Sequence, residues 1–393
     1  MNVFQNYNAM LLLLLSLFGM LATAAAAAAA ADMTDEMQAQ WKLWPYLDES
    51  ICWNSDWTRW YGTNTSVKEH FQAYRCFEAP GNYSTIQSNT YFYEDGRGEV
   101  SINKGNCQSP PVCGPWLLDK TDPQTSSPYG VVHPSRAYMR TIMFPDRSAA
   151  WIMKDLPRVP VCSSPRGPVP CAGFELFLGD GKFLRLSIGL VYDDRGQLSQ
   201  VSAIREDSRD FGLFWSYTKN DTTTTTDTTA TATGEFLPLL TKYTDRNEKE
   251  TVLNNFWSNT NGSENDGTTT VSTVLVPGLE YIQQIDQGSS TTTNRFSNNM
   301  AEHEVFEIMT DGILVVCPSH LPSVENDDDG TFHIAAGWKK DDDGSFVSSI
   351  EALYNNFTMS ELVYTTFRKK KNSSKSEKSK RKKHSKKHTK KTK

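Results

Sequence analysis

The sequence predicts an all-β chain: two antiparallel β-barrels in tandem, followed by a disordered basic tail. Three observations carry that expectation. In the stretch 174–205, Leu184, Leu186, Ile188, Leu190 and Tyr192 alternate with Arg185, Ser187, Gly189 and Val191, the period-two pattern of a half-buried strand. Gly179-Asp180-Gly181 and Asp193-Asp194-Arg195-Gly196 interrupt the run with turn-tolerant residues, so the stretch reads as a β-meander. Composition agrees, since 15 Tyr, 19 Phe and 10 Trp favour strand over helix. Finally, strand-like segments recur on both sides of a low-complexity tract, Asn220 to Gly234.

Taken in order, Met10 to Ala31 is apolar or small throughout except Ser16 and Thr23, with a Leu-rich centre and an Ala-rich end. It reads as a targeting segment over 1–31. One alternative is a signal peptide with A-x-A cleavage sites. The other is an uncleaved signal anchor, because the run is long enough to span a bilayer and the first ten residues contain no Lys or Arg. Six cysteines in the first half, Cys52, Cys76, Cys107, Cys113, Cys162 and Cys171, are disulfide candidates. They point to a secreted protein or to the lumen of the secretory pathway. Cys107 with Cys113 and Cys162 with Cys171 bracket short Pro-containing loops and read as local staples; the full connectivity stays open. Cys317 stands apart and is expected to be reduced or used between chains. Sequons at Asn64, Asn82, Asn220, Asn261 and Asn356 are glycosylation candidates.

Asp32 to Gln40 is polar and reads as a short helix or an extended arm. Trp41, Trp44, Trp53, Trp57 and Trp60 then fall close together and need a large core or a ligand surface to bury them. Phe71 to Phe77, Thr90 to Glu94 and Gly98 to Ile102 read as strands, Asn106 to Tyr129 as a stapled loop, and Ser135 to Phe144 and Ser148 to Met153 as strands again. With the meander this gives about eight strands over 41–218, enough to close a barrel. A Thr-rich linker follows at 219–234. In 235–368, Phe236 to Trp257 reads as a short helix leading into a strand. Thr268 to Val276, Glu302 to Met309, Gly312 to Cys317, Phe332 to Trp338, Phe346 to Tyr354 and Leu362 to Phe367 then build a second, smaller barrel. The segment 369–393 has no hydrophobic residue and is expected to be disordered.

Charge is unevenly spread. The chain carries a formal net charge of −6, yet Arg368 to Lys393 holds 15 Lys/Arg against one acid. The rest has 25 basic and 45 acidic residues, a net of −20. An acidic body with a basic tail is expected to bind anionic surfaces or polysaccharide through the tail. No specific nucleic-acid partner is expected, and a membrane only where the leader is uncleaved.

Several short pieces resemble a known family in this order: Trp57-Thr58-Arg59-Trp60-Tyr61, Phe71-Gln72-Ala73-Tyr74-Arg75, Tyr91-Phe92-Tyr93, Ala149-Ala150-Trp151, Phe174-Glu175-Leu176-Phe177, Ser187-Ile188-Gly189 and Ile204-Arg205-Glu206-Asp207. The second half agrees through Asp311-Gly312, Val316-Cys317-Pro318 and Ile334-Ala335-Ala336-Gly337-Trp338. Together they resemble an uncharacterised lipocalin-like (calycin) family of two consecutive barrels, domain-of-unknown-function family 3598. The resemblance implies a fold and no reaction. The Thr linker, acidic insertions, extra cysteines and basic tail depart from it, and the lipocalin G-x-W hallmark is absent, since Ser55-Asp56 precedes Trp57.

The sequence contains no P-loop, G-x-S-x-G, H-E-x-x-H or G-x-G-x-x-G, and no C-x-x-C. No catalytic residue, metal or cofactor is expected. Trp57, Arg59, Arg75, Arg185, Gly189 and Arg205 are the ligand-binding candidates. Arg59 sits among tryptophans, where a guanidinium stacks well. Arg75, Arg185 and Arg205 lie on strands, either pointing inward to bind a carboxylate or outward to pair with Glu99, Glu175 or Glu206. Gly189 in a strong strand marks a close approach, a bulge or a bend. His133 before Pro134 reads as a loop entry. Three functions compete: a binding protein for a small apolar or amphipathic ligand, an isomerase- or lyase-type enzyme on a lipid or pigment ligand, and a structural surface protein attached to polyanions.

Overall fold

The computed structural model describes residues 35–81, 83–93, 115–122, 124–127, 130–133, 136–156, 172–209, 238–258, 269–276, 279–286, 303–308, 311–323, 329–340 and 346–368. The leader, Gly98 to Ile102, the 219–234 linker, the 369–393 tail, Cys107, Cys113, Cys162, Cys171, Asn82, Asn220 and Asn261 lie outside the described residues. Among those described, nineteen strands form two antiparallel sheets, so the all-β expectation holds.

The first sheet has eleven strands: β1 (Ile51–Tyr61), β2 (Val67–Gly81), β3 (Ser84–Tyr93), β4 (Trp116–Asp119), β5 (Ser126–Ser127), β6 (Gly130–His133), β7 (Arg136–Met143), β8 (Ala149–Met153), β9 (Ala172–Gly179), β10 (Leu184–Tyr192) and β11 (Leu198–Asp207). Their order is β4-β3-β2-β1-β11-β10-β9-β8-β7-β6-β5. The meander is β9-β10-β11, and β1 returns to pair with β11. At the far edges β4 lies against β6. The turn between β4 and β5 ties them, with the Thr125 hydroxyl donating to the Asp119 carbonyl and the Val132 N–H to the Thr125 carbonyl at 2.9 Å. The sheet is thereby a nearly closed barrel. Three of its strands fall where the sequence reading had a tryptophan cluster (β1) or a stapled loop (β4, β5).

Cys52 and Cys76 face each other in the β1–β2 register and form a disulfide. The polar N-terminal arm is helix α1 (Asp35–Leu43), followed by a 3₁₀ turn at Pro45–Leu47. These close one end of the barrel. Trp41, Trp44, Tyr46 and Leu47 are buried against Trp53, Phe77, Leu118, Met143 and Phe177. The Gln40 side-chain oxygen accepts the buried Met143 N–H at 2.8 Å, fixing the plug to β7.

The second sheet has eight strands: β12 (Thr241–Tyr243), β13 (Thr269–Val276), β14 (Leu279–Asp286), β15 (Glu304–Ile308), β16 (Ile313–Cys317), β17 (Phe332–Lys339), β18 (Phe346–Asn355) and β19 (Thr358–Arg368), in the order β12-β15-β16-β17-β18-β19-β13-β14. Within the segment read as a helix leading into a strand the order is reversed, with helix α2 (Arg246–Ser258) following β12. Asp245 caps it by accepting the N–H groups of Asn247 and Glu248. Leu253 and Phe256 of α2 pack on Val305, Leu314, Val316, Ala335 and Val347 of the sheet.

The other face of the second sheet packs on the outside of the barrel, and the two share one core. Leu176, Leu186, Ile188 and Leu190 from the barrel lie in the same cluster as Phe306, Val315, Ile334, Ala336 and Ile350. Polar links cross the seam. The Tyr192 hydroxyl donates to the Pro318 carbonyl at 2.9 Å and the Tyr354 hydroxyl to the Met153 carbonyl at 2.5 Å. Lys340 bonds Asp180 at 2.6 Å. Cys317 is buried in this seam and free, and burial pushes its thiol up to about 12. Of the two alternatives expected for it, a reduced thiol is the one its burial fits, since no second chain can reach it in this packing.

Candidate functional site

Strand parity decides what enters the barrel. On β10 the apolar set Leu184, Leu186, Ile188 and Leu190 is committed to the seam with the second sheet. The intervening positions then face the lumen, and Arg185, Gly189 and Val191 line a cavity of about 390 Å³. Successive side chains point to opposite faces, so a strand buried on both sides must carry its polar residues inward here.

The lumen is built in tiers by cross-strand partners. Near one end, Trp57 of β1 opposes Phe71 of β2 and stacks on it at 5.4 Å between ring centroids. Arg59 lies over both rings, 5.1 Å from Trp57 and 4.7 Å from Phe71, and pairs with its register partner Glu69 at 3.4 Å. In the next tier Arg75 of β2 donates to Glu175 of β9 at 2.8 Å, and the Ser187 hydroxyl donates to the same oxygen at 3.0 Å. Deepest, Arg185 pairs with its register partner Glu206 at 2.5 Å and donates to the Tyr46 hydroxyl at 3.1 Å. Its guanidinium lies 4.4 Å over Trp53 and 4.8 Å over Phe177. Arg75 also lies 3.5 Å from Glu206, which joins the two tiers into one network. Opposite this wall, His133 sits edge-on between Trp116 at 4.8 Å and Trp151 at 5.9 Å.

Of the candidates read from the sequence, Trp57, Arg59, Arg75, Arg185 and Gly189 all line this cavity. The sequence reading set inward arginines against outward arginines paired with glutamate. The structure combines them, because Glu175 and Glu206 enter the lumen with Arg75 and Arg185. Arg205 is elsewhere. Ile204 lines the cavity, so its neighbour faces the opposite side. There Arg205 is fully buried, bonds Asp311 of the second half at 2.7 Å and reaches the Thr58 hydroxyl at 3.3 Å. Burial raises the carboxyls of both Asp56 and Asp311, while the Arg205 charge pulls each back down. Gly189 is not a bulge, since the register shift on β10 falls between Val191 and Tyr192.

Sequence reasoning did not place His133 in the site; the residue ends β6, is buried and lines the cavity. The sequence reading also missed the plug residues Trp44 and Tyr46 and the wall residue Trp151. Period-two spacing could have paired Trp151 with Ala149 on one face, but nothing local marks that face as the lumen. The exposed Asn64 and Asn356 sit in turns away from the cavity. Chemically, both deep carboxylates are engaged by guanidinium groups. What remains is an aromatic-walled slot with polar side chains toward both ends, Arg185 at the plug and Arg59, Gln200 and Ser202 at the other.

Residues 37–211 match the family model described as the N-terminal domain of DUF3598, a domain of unknown function. The resemblance expected from the sequence is borne out over that span. No curated protein matches the chain. Among solved structures, a DUF3598-family protein of unknown function from Nostoc punctiforme is similar at 13% identity, covering 84% of this chain and 99% of that one, with a TM-score of 0.45. The OccK8 (OprE) protein of Pseudomonas aeruginosa aligns at 9% identity over 82% of this chain and 98% of its own, with a TM-score of 0.14.

Proposed function

We propose that the protein is a lipocalin-like binding protein that holds one small apolar or amphipathic ligand in the lumen of its first barrel, in a secreted or lumenal setting. The observation that supports this reading is the cavity of about 390 Å³, within the range of small-molecule sites. Its wall is mainly aromatic and aliphatic, with a few fixed polar groups, which is the composition such sites share. A barrel serving only as a surface support would gain stability by filling that space with side chains. The Lys-rich tail would add attachment to anionic surfaces.

The test is extraction of the purified full chain with organic solvent, followed by mass spectrometry and by titration with an apolar fluorescent probe. A co-purified apolar compound, or saturable probe binding near one per chain, is the expected result. An empty extract together with no probe binding overturns the reading.

A further inference from the structure

Charge balance and unmet hydrogen bonds specify the ligand more closely than cavity size does. Each lumen arginine already has a carboxylate: Arg59 has Glu69, Arg75 has Glu175, and Arg185 has Glu206. An incoming carboxylate would therefore add an uncompensated negative charge in a largely buried space. Burying such a charge is far less favourable than burying a neutral oxygen.

Near the plugged end, two lining side chains, Arg185 and Trp44, carry hydrogen-bond donors without a partner. Arg185 is 3% exposed and lines the cavity, and its Nη2 has no hydrogen-bond partner. Trp44, 4% exposed and also lining, has its indole Nε1 in the same state, as is Nε of Arg59 nearer the other end. All three are donors. A buried donor left unmade is unfavourable, so a ligand oxygen that accepts from it is favoured strongly.

We infer that the lumen selects an uncharged apolar molecule carrying a hydrogen-bond acceptor, a ketone- or ether-type oxygen, over a carboxylate of the same length. This rests on the binding reading above and reverses the expectation that the arginines anchor an acid. The apolar part lies along Trp57 and the oxygen points toward Arg185 and Trp44.

Equilibrium dialysis of the full chain at pH 8 against undecanoate, 2-undecanone and undecane tests it. The ketone is expected to bind at least about tenfold tighter than undecanoate and severalfold tighter than undecane, as one bond to a charged donor implies. Undecanoate binding as tightly as the ketone overturns this inference while leaving the binding reading intact. Undecane equalling the ketone does the same by showing the donors unused. Binding of none of the three overturns the binding reading itself. Glu175→Gln removes one negative charge from the cavity wall and should raise undecanoate affinity about tenfold relative to the ketone. An unchanged ratio in the folded variant overturns the charge argument. If that variant does not fold, the three-ligand comparison on the parent chain decides.

Discussion

The two halves of the molecule solve the same packing problem in opposite ways. Each sheet has one face committed to the shared seam and a second face left to cover. In the second sheet that face is apolar, with Val305, Leu314, Val316 and Ala335, and helix α2 lies on it. In the first, the corresponding face carries arginines, glutamates and tryptophans and closes around a cavity instead. A helix cannot cover charged groups without supplying partners for them. The polar lumen thus keeps the first barrel open, and the second sheet acts as the buttress that buries the barrel's outer wall.

The seam is where breaking the comparison should have the largest effect. Asp311 and Arg205 are buried and joined at 2.7 Å, one from each half. Asp311→Ala deprives the fully buried Arg205 of that carboxylate, and removing one partner of such a pair costs about 3 kcal/mol or more. Urea denaturation at neutral pH should show that loss in a single transition, since the halves share a core. The double replacement Arg205→Met with Asp311→Leu should recover most of it. Two separate transitions in the parent, with Asp311→Ala neutral, would show that the halves are merely adjacent.

A smaller effect is expected on the filled face. Gly337 of β17 lies beneath α2, and a Cβ there would sit 2.5 Å from a ring carbon of Phe256. Gly337→Ala should therefore displace the helix and destabilise by about 1–3 kcal/mol. Phe256 is also held from outside by Lys339, whose ammonium lies 4.6 Å over the ring. A thermal melt unchanged from the parent would show that α2 yields without cost.

Much of the strand inventory was legible because β10 alternates and the other strands of β8–β11 and β15–β18 are short apolar or β-prone runs between turn residues. What alternation could not tell was which face is which. On β10 both faces are largely buried, so Leu186 and Ile188 read as the barrel's core when they belong to the seam. Only the partner sheet settles that. β1 was hidden for the same reason: Trp53 and Trp57 turn inward while Trp60 packs into the seam, which blurs its period. β4, β5 and β6 were too short to register. The order of β12 and α2 was readable and misread, because Asp245 followed by Glu248 is a helix-start signal. For the site, five of six candidates reached the lumen on residue type alone, and Arg205 failed by one position of parity.

The smallest expected effect on stability is also the sharpest test of the open lumen. Gly189 sits at the centre of β10, the position matching the wall rather than the seam. A Cβ there meets only Ser202, at 3.4 Å to its Cβ and 3.7 Å to its hydroxyl, ordinary contact distances. Gly189→Ala should accordingly change stability by less than about 1 kcal/mol, and toward the stable side, because a strand-interior glycine gives up more backbone freedom on folding than alanine does. Gly189→Leu extends the side chain into the cavity without displacing backbone. Its thermal midpoint should stay near the parent's while binding of an apolar fluorescent probe weakens about tenfold or more, since the added methylenes occupy ligand volume. The contrast with Gly337→Ala is the point: one methyl disturbs the filled face, whereas four carbons on the other face cost only the ligand. If Gly189→Leu unfolds the protein, the lumen is packed as tightly as the helix-covered face. If it folds and binds the probe like the parent, residue 189 does not bound the binding space.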